Sequence, residues 1–366
     1  MAKKKDLLIR LVKWIISGFL YYSHLLTLLD FIGDKIYGRK FIILCYHVVT
    51  NTKEGEVNYF RPQMAVSLET FKKQMEFLAK NYNVVSLEEL IETVKQNKIL
   101  PRKAAAITFD DGYANNYTSA YPVLKKNKLP ATIFLSTDYI ETGKLLWFDQ
   151  VWEVLKNYDD LSKIEIQKNI CEEDLRARLL KIFADNLLEK DVAINLAISL
   201  MKKMNREKMD TLIKYMVENS PDHKQEKSLM LSWKQVVEMS KNGISIQCHT
   251  KSHPDLTQLS EQEAKIEIIE AKREIEKKIN KKVIVFSYPY GYFNDKIKKI
   301  VKEAGFFCAC SINKGENNPG SNLFELKRIN ISENLTSNIT GKFSKAMFET
   351  ELNNIFDFLL IRRFRK

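Results

Sequence analysis

Six short apolar runs, interleaved with helix-patterned stretches, constrain what this chain can fold into more than any other feature. They are Phe41 to Val49, Lys103 to Phe109, Ala131 to Leu135, Ile244 to Cys248, Val283 to Phe286 and Phe306 to Ser311. Their length and β-branching read as buried strands, and strands buried on both faces belong to parallel sheets. The segments between them carry helical signals. Ser67 opens a helix with Phe71, Met75 and Leu78 on one face. Ser86-Leu87-Glu88-Glu89, Ser232-Trp233-Lys234-Gln235 and Ser260-Glu261-Gln262-Glu263 read as capping boxes, in which hydroxyl and carboxylate or amide satisfy each other's backbone donors. Those last two helices end near Gly243 and Asn280. Tyr117 to Lys126 and the stretch up to Ala304 are further helices. Tyr82 to Val85 reads as a short strand and Phe324 to Ile329 as a last one. Strand and helix thus alternate at the spacing of a βα-repeat sheet or barrel.

Two regions break the rhythm. Residues 150–228 are rich in Lys, Glu, Leu and Met, with Leu175, Leu179, Ile182 and Phe183 at helical spacing. This stretch reads as a helical insertion, with a loop from Pro221 to Lys227. Residues 6–32 are strongly apolar, but Asp6, Arg10, Lys13, Ser17, His24 and Thr27 mark one narrow polar stripe. A spanning helix needs about 20 mostly apolar residues, and His24 and Asp30 interrupt the stretch from Trp14 to Phe31. The expectation is a helix lying in the membrane interface, with Lys3–Lys5 and Arg10 on headgroups. The alternatives are an amphipathic helix packed on the domain and a signal anchor, which would place the main domain outside the cell. The 366 residues suit one large α/β domain with insertions or two domains, and 45% hydrophobic content supplies a sizeable core. The division expected is a membrane-interacting helix over 1–36, a domain over 37–340 and a basic C-terminal helix over 341–366, its helical part about 342–361. The net charge of +12 is partly gathered in Lys3–Lys5 and in Arg362, Arg363, Arg365 and Lys366. That distribution favours an anionic membrane surface; no nucleic-acid motif is present. Five cysteines without a CxxC read as small buried residues.

The polar chemistry collects where the apolar runs end. Thr108-Phe109-Asp110-Asp111-Gly112-Tyr113 places two carboxylates after one run. Taken alone, Asp-Gly is an ordinary turn pair. His47 follows another run, and His249 and His253, spaced H-x3-H, follow a third. Two imidazoles and one carboxylate make a three-ligand metal site with open positions, as a catalytic zinc requires. A fourth run ends in Ser287-Tyr288-Pro289-Tyr290-Gly291. Acids, imidazoles and a rigid Pro-Gly turn at the ends of separate strands point to one site at one rim of a sheet.

Thr108–Tyr113, His249–Pro254 and Ser287–Gly291 resemble the first three motifs of the polysaccharide deacetylases, the NodB-like carbohydrate esterases of family four. The resemblance extends to Ala131–Leu135, Trp233 to Gly243 and Phe324 to Ile329, and covers most of residues 40–335. It implies a distorted (β/α)7 barrel and metal-dependent removal of N-acetyl, or occasionally O-acetyl, groups from sugars. By the resemblance, Asp111, His249 and His253 hold the metal, usually zinc, and Asp110 is the general base. Such chemistry needs a polarised amide carbonyl and an activated water, a base for the water proton and an oxyanion donor, for which the Tyr290 N–H is expected. Two departures stand out. The commonest pattern places an acid histidine in a late motif, whereas no histidine follows His253. His47 is the substitute expected here, as in some biofilm-polysaccharide deacetylases with permuted motif order. Ser287 stands near where many members carry an arginine paired with the base, a place Arg328 is free to take unless it is an ordinary edge-strand arginine. The implied substrate is an N-acetylated poly- or oligosaccharide, among them poly-N-acetylglucosamine, lipid-linked glycans, peptidoglycan and chitin oligomers. A membrane-associated chain is expected, with buried thiols favouring the cytoplasm and family habit favouring the outside. The rival from another class is a membrane-tethered glycan-binding protein without chemistry. A phosphoryl-transfer reading of the Asp pair would want an all-oxygen Mg²⁺ site and leaves both histidines unexplained.

Overall fold

A computed structural model of the chain describes residues 2–51, 61–202, 204–220 and 229–356. They divide into two units, the smaller centred on Thr142–Leu229. The larger unit is built on a curled parallel sheet. Its strands are β1 (Phe41–Tyr46), β2 (Val48–Thr50), β3 (Ala65–Ser67), β4 (Asn83–Val84), β5 (Ala104–Phe109), β6 (Ala131–Leu135), β7 (Ile244–Cys248), β8 (Val285–Ser287), β9 (Cys308–Cys310) and β10 (Ile329–Asn330). Seven of them run in the order β10-β1-β5-β6-β7-β8-β9, β4 adds to the start of β5, and β2 and β3 pair separately. Leu326 bridges to Cys310 while Ile329 pairs with Leu44, so the chain from 326 to 330 joins the last strand to the first. This is the distorted (β/α)7 barrel.

Helices cover the barrel: α1 (Ala2–Tyr22), α2 (Leu25–Tyr37), α3 (Leu68–Asn81), α4 (Leu87–Lys95), α5 (Tyr121–Asn127), then, after the smaller unit, α10 to α14. The smaller unit packs α6 (Trp147–Asn157) against α8 (Lys190–Met201) and α9 (Arg206–Glu218), with α7 (Glu173–Phe183) on α8. Trp152, Leu155, Ile194, Ala197 and Leu212 are buried there. The remaining helices are α10 (Trp233–Lys241), α11 (Glu261–Ile279), α12 (Asp295–Glu303), α13 (Glu333–Thr336) and α14 (Lys345–Leu352). Both Ser232–Gln235 and Ser260–Glu263 close reciprocal capping boxes, whereas Ser86 caps α4 only through the Glu89 N–H.

The period of two along each strand divides the core. Ile42, Leu44, Tyr46, Ala105, Ile107 and Phe109 pack outward in the cluster that includes Phe71, Met75 and Leu78 of α3. Phe41, Ile43, Ala104, Ala106, Phe134 and Leu326 belong to a second cluster with Leu87, Leu90 and Ile91 of α4. Continuing that second parity toward the C-terminal ends of the strands gives Cys45, His47, Thr108 and Asp110, so the interior turns from apolar to polar along its axis.

Several expectations are corrected. The N-terminal apolar stretch is two helices bent by 69°, because His24 takes a left-handed conformation at φ 56°. No single described helix is long and apolar enough to cross a membrane, although the bent pair is by length and composition. The Arg10 guanidinium, expected on headgroups, donates to the Asn338 carbonyl at 3.2 Å. Phe324 to Ile329 is strand only at its end, since residues 323–325 turn first. Tyr117 to Lys126 is helical, but a π-helical turn over Asn116–Ala120 precedes α5. Helix α14 stops at Leu352. The basic tail from 357, the loop 221–227 and the side chains of Lys3–Lys5 lie outside the described residues.

Candidate active site

Adjacent acids need different surroundings before they can do different work, and the turn after β5 provides them. Asp110 continues the inward parity of the strand, and its N–H donates to the Tyr46 carbonyl at 3.0 Å. Asp111 sits at φ 74° and Gly112 at φ 87°. Aspartate tolerates this left-handed region better than most residues. At Gly112 an added Cβ would also lie 2.8 Å from Leu135 Cδ2. The turn therefore aims the two buried carboxylates at different partners.

Asp111 faces the histidines. Its Oδ1 is 3.5 Å from His249 Nε2 and 3.3 Å from His253 Nε2, and all three residues are buried. Two donors each about 2.1 Å from one tetrahedral ion lie about 3.4 Å apart. The donor set thus fits a divalent metal in both chemistry and spacing. The His249 Nδ1 lies 2.7 Å from the Ser287 carbonyl. A carbonyl only accepts, so Nδ1 carries the proton and Nε2 presents its lone pair to Asp111's side. Left-handed Thr250 (φ 68°) and His253 (φ 55°) fold the H-x3-H loop back, and the His253 N–H donates to Thr250 Oγ1 at 3.1 Å. The Tyr290 ring stands edge-on to His253 at 4.5 Å, and its hydroxyl donates to the His253 carbonyl at 3.2 Å. Burial pushes the His249 imidazole below its ordinary value against the pull of Asp110. Burial and the neighbouring His249 push His253 well below. Neutral imidazoles are the form that ligates.

Asp110 faces Arg328. The guanidinium donates from Nη1 to Oδ1 at 2.7 Å and from Nη2 to Oδ2 at 2.6 Å. Its other donors reach Ser311 O at 2.9 Å, Ser287 Oγ at 3.0 Å and Thr108 Oγ1 at 3.3 Å. All five N–H groups of a side chain buried inside the barrel are used, the condition under which a buried cation is tolerated. Arg328 is no edge-strand arginine. Burial by itself would raise the Asp110 carboxyl, but Arg328, then His249, outweigh it and hold the group well below the usual carboxylate range. The Asp110 carboxylate stays ionised.

His47 completes the site. A ring nitrogen of His47, the Cys45 sulfur and an Asp110 oxygen lie within 4.8 Å of one another. Asn116 Nδ2 donates to the His47 carbonyl at 2.8 Å, fixing the chain where β1 leaves the sheet. This trio does not fit a metal: both Asp110 oxygens receive Arg328, and burial pushes the Cys45 thiol well up, leaving it protonated. Tyr290 lies in the Tyr-Pro-Tyr-Gly turn at φ 58°. Gly291, at φ 69°, has Ile312 N only 2.6 Å from where a Cβ would sit. All six predicted site residues are therefore at one rim. Sequence reasoning missed Thr108, Ser311 and Cys45 as site walls and the Ser287 carbonyl as the His249 acceptor. The signal was parity, since Cys45 and Thr108 precede His47 and Asp110 by two.

Comparison with known proteins agrees. The family model for polysaccharide deacetylases matches residues 97–169 and 198–309. The chain is similar to YxkH of Bacillus subtilis, 22% identical over 309 residues, covering 84% of this chain and 77% of that one. It is 38% identical over 77 residues to the poly-beta-1,6-N-acetyl-D-glucosamine N-deacetylase of Staphylococcus epidermidis, but this spans only 21% of this chain and 26% of that enzyme. The solved deacetylase PplD of Streptococcus pyogenes shares the fold at a TM-score of 0.52, with 22% identity, 82% of this chain and 96% of that chain covered. With half of the chain matched by one family model and a barrel of the same kind, this chain belongs to the polysaccharide deacetylase family and is a hydrolase of that kind.

Proposed function

We propose that this enzyme hydrolyses N-acetyl groups on a polysaccharide of N-acetylglucosamine type, releasing acetate and a free amine. The observation that carries this is the partition of Asp110 and Asp111 between Arg328 and the two histidines. Asp111, His249 and His253 would hold a divalent metal, zinc by their donor types. When bound it supplies polarisation of the acetyl carbonyl and a lowered pKa for water. Asp110 takes the proton of the attacking water as its oxygen bonds to the acetyl carbon. Arg328 keeps Asp110 ionised and fixes its oxygens. The Tyr290 N–H serves the oxyanion that develops on the acetyl oxygen. His47 gives a proton to the amine nitrogen as the C–N bond breaks. The likeness to a poly-β-1,6-N-acetylglucosamine deacetylase over part of the chain supports the substrate class.

The test is acetate release from a panel of N-acetylated glycans, with and without chelator. Chelator-sensitive release from poly-N-acetylglucosamine is expected. Absence of release from every glycan, with metal bound, would leave a glycan-binding protein instead.

A further inference from the structure

The first helices of this chain are inside out relative to an ordinary amphipathic pair. On α1 the polar positions face the domain. Ser17 is 0% exposed and its hydroxyl meets Thr350 Oγ1 of α14 at 2.8 Å, while Arg10 reaches the Asn338 carbonyl. On the opposite side of the helix the apolar residues face out: Phe19 is 67% exposed, with Leu8, Val12, Ile15 and Tyr22 on the same face at spacings of three and four. Helix α2 repeats the arrangement. Asp30 pairs with Lys40 at 3.4 Å and Asp34 with Arg102 at 3.4 Å, whereas Leu28, Leu29 and Ile36 are exposed. Twelve of the twenty-two exposed large hydrophobics among the described residues fall between Leu8 and Ile36. Such a concentration of exposed apolar side chains on two successive helices marks a surface built to be covered.

We propose that this face seats the enzyme in one leaflet of an anionic bilayer, lying in the interface without crossing it. Charge complementarity selects lipid as the occupant. Residues 1–40 carry eight basic and three acidic side chains; Arg10, Arg39 and Lys40 bond within the domain and Asp30 and Asp34 are paired there, so the basic excess of this segment lies in Lys3–Lys5, Lys13 and Lys35. Basic residues beside an exposed apolar helix face are the composition of interfacial helices. The polar contacts of α1 and α2 argue against a span. Crossing would strip Ser17 from α14 and both aspartates from their partners and carry them into hydrocarbon. The seat also leaves the active site open. Lys40 and Arg102 precede β1 and β5, whereas His47 and Asp110 follow them, so α2 lies at the opposite end of these strands from the catalytic rim.

The experiment is co-sedimentation of the full chain with vesicles of phosphatidylglycerol, with vesicles of phosphatidylcholine, and without lipid. The chain should pellet with phosphatidylglycerol, less with phosphatidylcholine, and remain in solution without lipid. Ile15→Glu with Phe19→Glu should lower the bound fraction by about tenfold or more while acetate release in solution is unchanged. Leu28→Glu with Ile36→Glu, on the other helix, gives the same reading should the first pair fail to fold. Two outcomes overturn the proposal: wild-type protein left in the supernatant with both lipids, or a soluble dimer that Phe19→Glu splits and that ignores vesicles.

Discussion

Asp110 and Asp111 are neighbours in sequence with opposite electrostatic partners, one a cation and the other two neutral imidazoles. Replacing Asp110 by Asn should lower acetate release by about a hundredfold or more while bound metal, measured by elemental analysis, stays at the wild-type level. Arg328 works through Asp110. Arg328→Met removes the largest influence that opposes burial, leaving only the weaker pull of His249 and His47, so the Asp110 carboxyl should rise from its depressed position. A carboxylate with a depressed folded value stabilises the fold fully above its unfolded value and loses that contribution as pH falls through the folded one. The wild type should therefore keep an ionised base across the working range, and the variant should acquire an acid limb at higher pH in its rate profile. Leaving Asp110 buried without its partner should also cost about 3–5 kcal/mol of stability by denaturant unfolding. Arg328→Lys would keep the charge and lose the two-pronged geometry, so partial recovery of the pH profile distinguishes charge from shape. His47→Gln should depress kcat by about 10²-fold or more with unchanged metal content. An equal loss of metal would make His47 a ligand instead of an acid.

At the scale of elements, the turns matter more than the strands they follow. Strands β5, β6 and β7 begin and end within a residue of where their apolar runs predict. The left-handed residues that redirect the chain at Thr250, His253 and Tyr290 have no comparable signature, because only glycine, asparagine and aspartate advertise such a conformation. Gly291→Ala tests this. The new Cβ would meet Ile312 in a left-handed position, so the Tyr290 turn must shift. A loss of about 1–3 kcal/mol in thermal unfolding and a fall in kcat are expected together. Ser260→Ala removes the capping box of α11, whose two hydrogen bonds run between Ser260 and Glu263, and should cost about 1 kcal/mol with kcat intact, which separates local strain from general destabilisation.

For the whole molecule, metal and fold should be linked. A metal that binds only the folded chain at a hundred times its Kd adds about 2.7 kcal/mol, so zinc should raise Tm, chelator should lower it, and Asp111→Ala should abolish both effects. Burial holds His249 and His253 below their ordinary 6.5, so in the metal-free chain the unfolded state binds protons first as pH falls from that value. Stability of the metal-free protein should accordingly decline below about pH 6.5. Protons then compete with metal for the same nitrogens, and the acid limb of activity should move to lower pH as zinc is raised. An acid limb indifferent to zinc would assign it to another group.

The amino-acid sequence by itself determined the βα alternation, the burial of the strands and the residue types waiting at their ends, because periodicity and turn chemistry are local properties. It also carried the candidate metal trio, since H-x3-H and an acid pair after apolar runs are short-range patterns. The tertiary structure decided what depended on residues far apart in the chain. Arg328 meets Asp110 across 218 positions, and an arginine at the end of a weak strand looks the same whether it faces water or the barrel axis. His47 came to the site because β1 lies beside β5, a neighbour relation no linear spacing encodes. The stripe on α1 was legible as amphipathic, but its direction was not: hydrophobic periodicity defines two faces, and only the position of α14 shows that the polar one is inside.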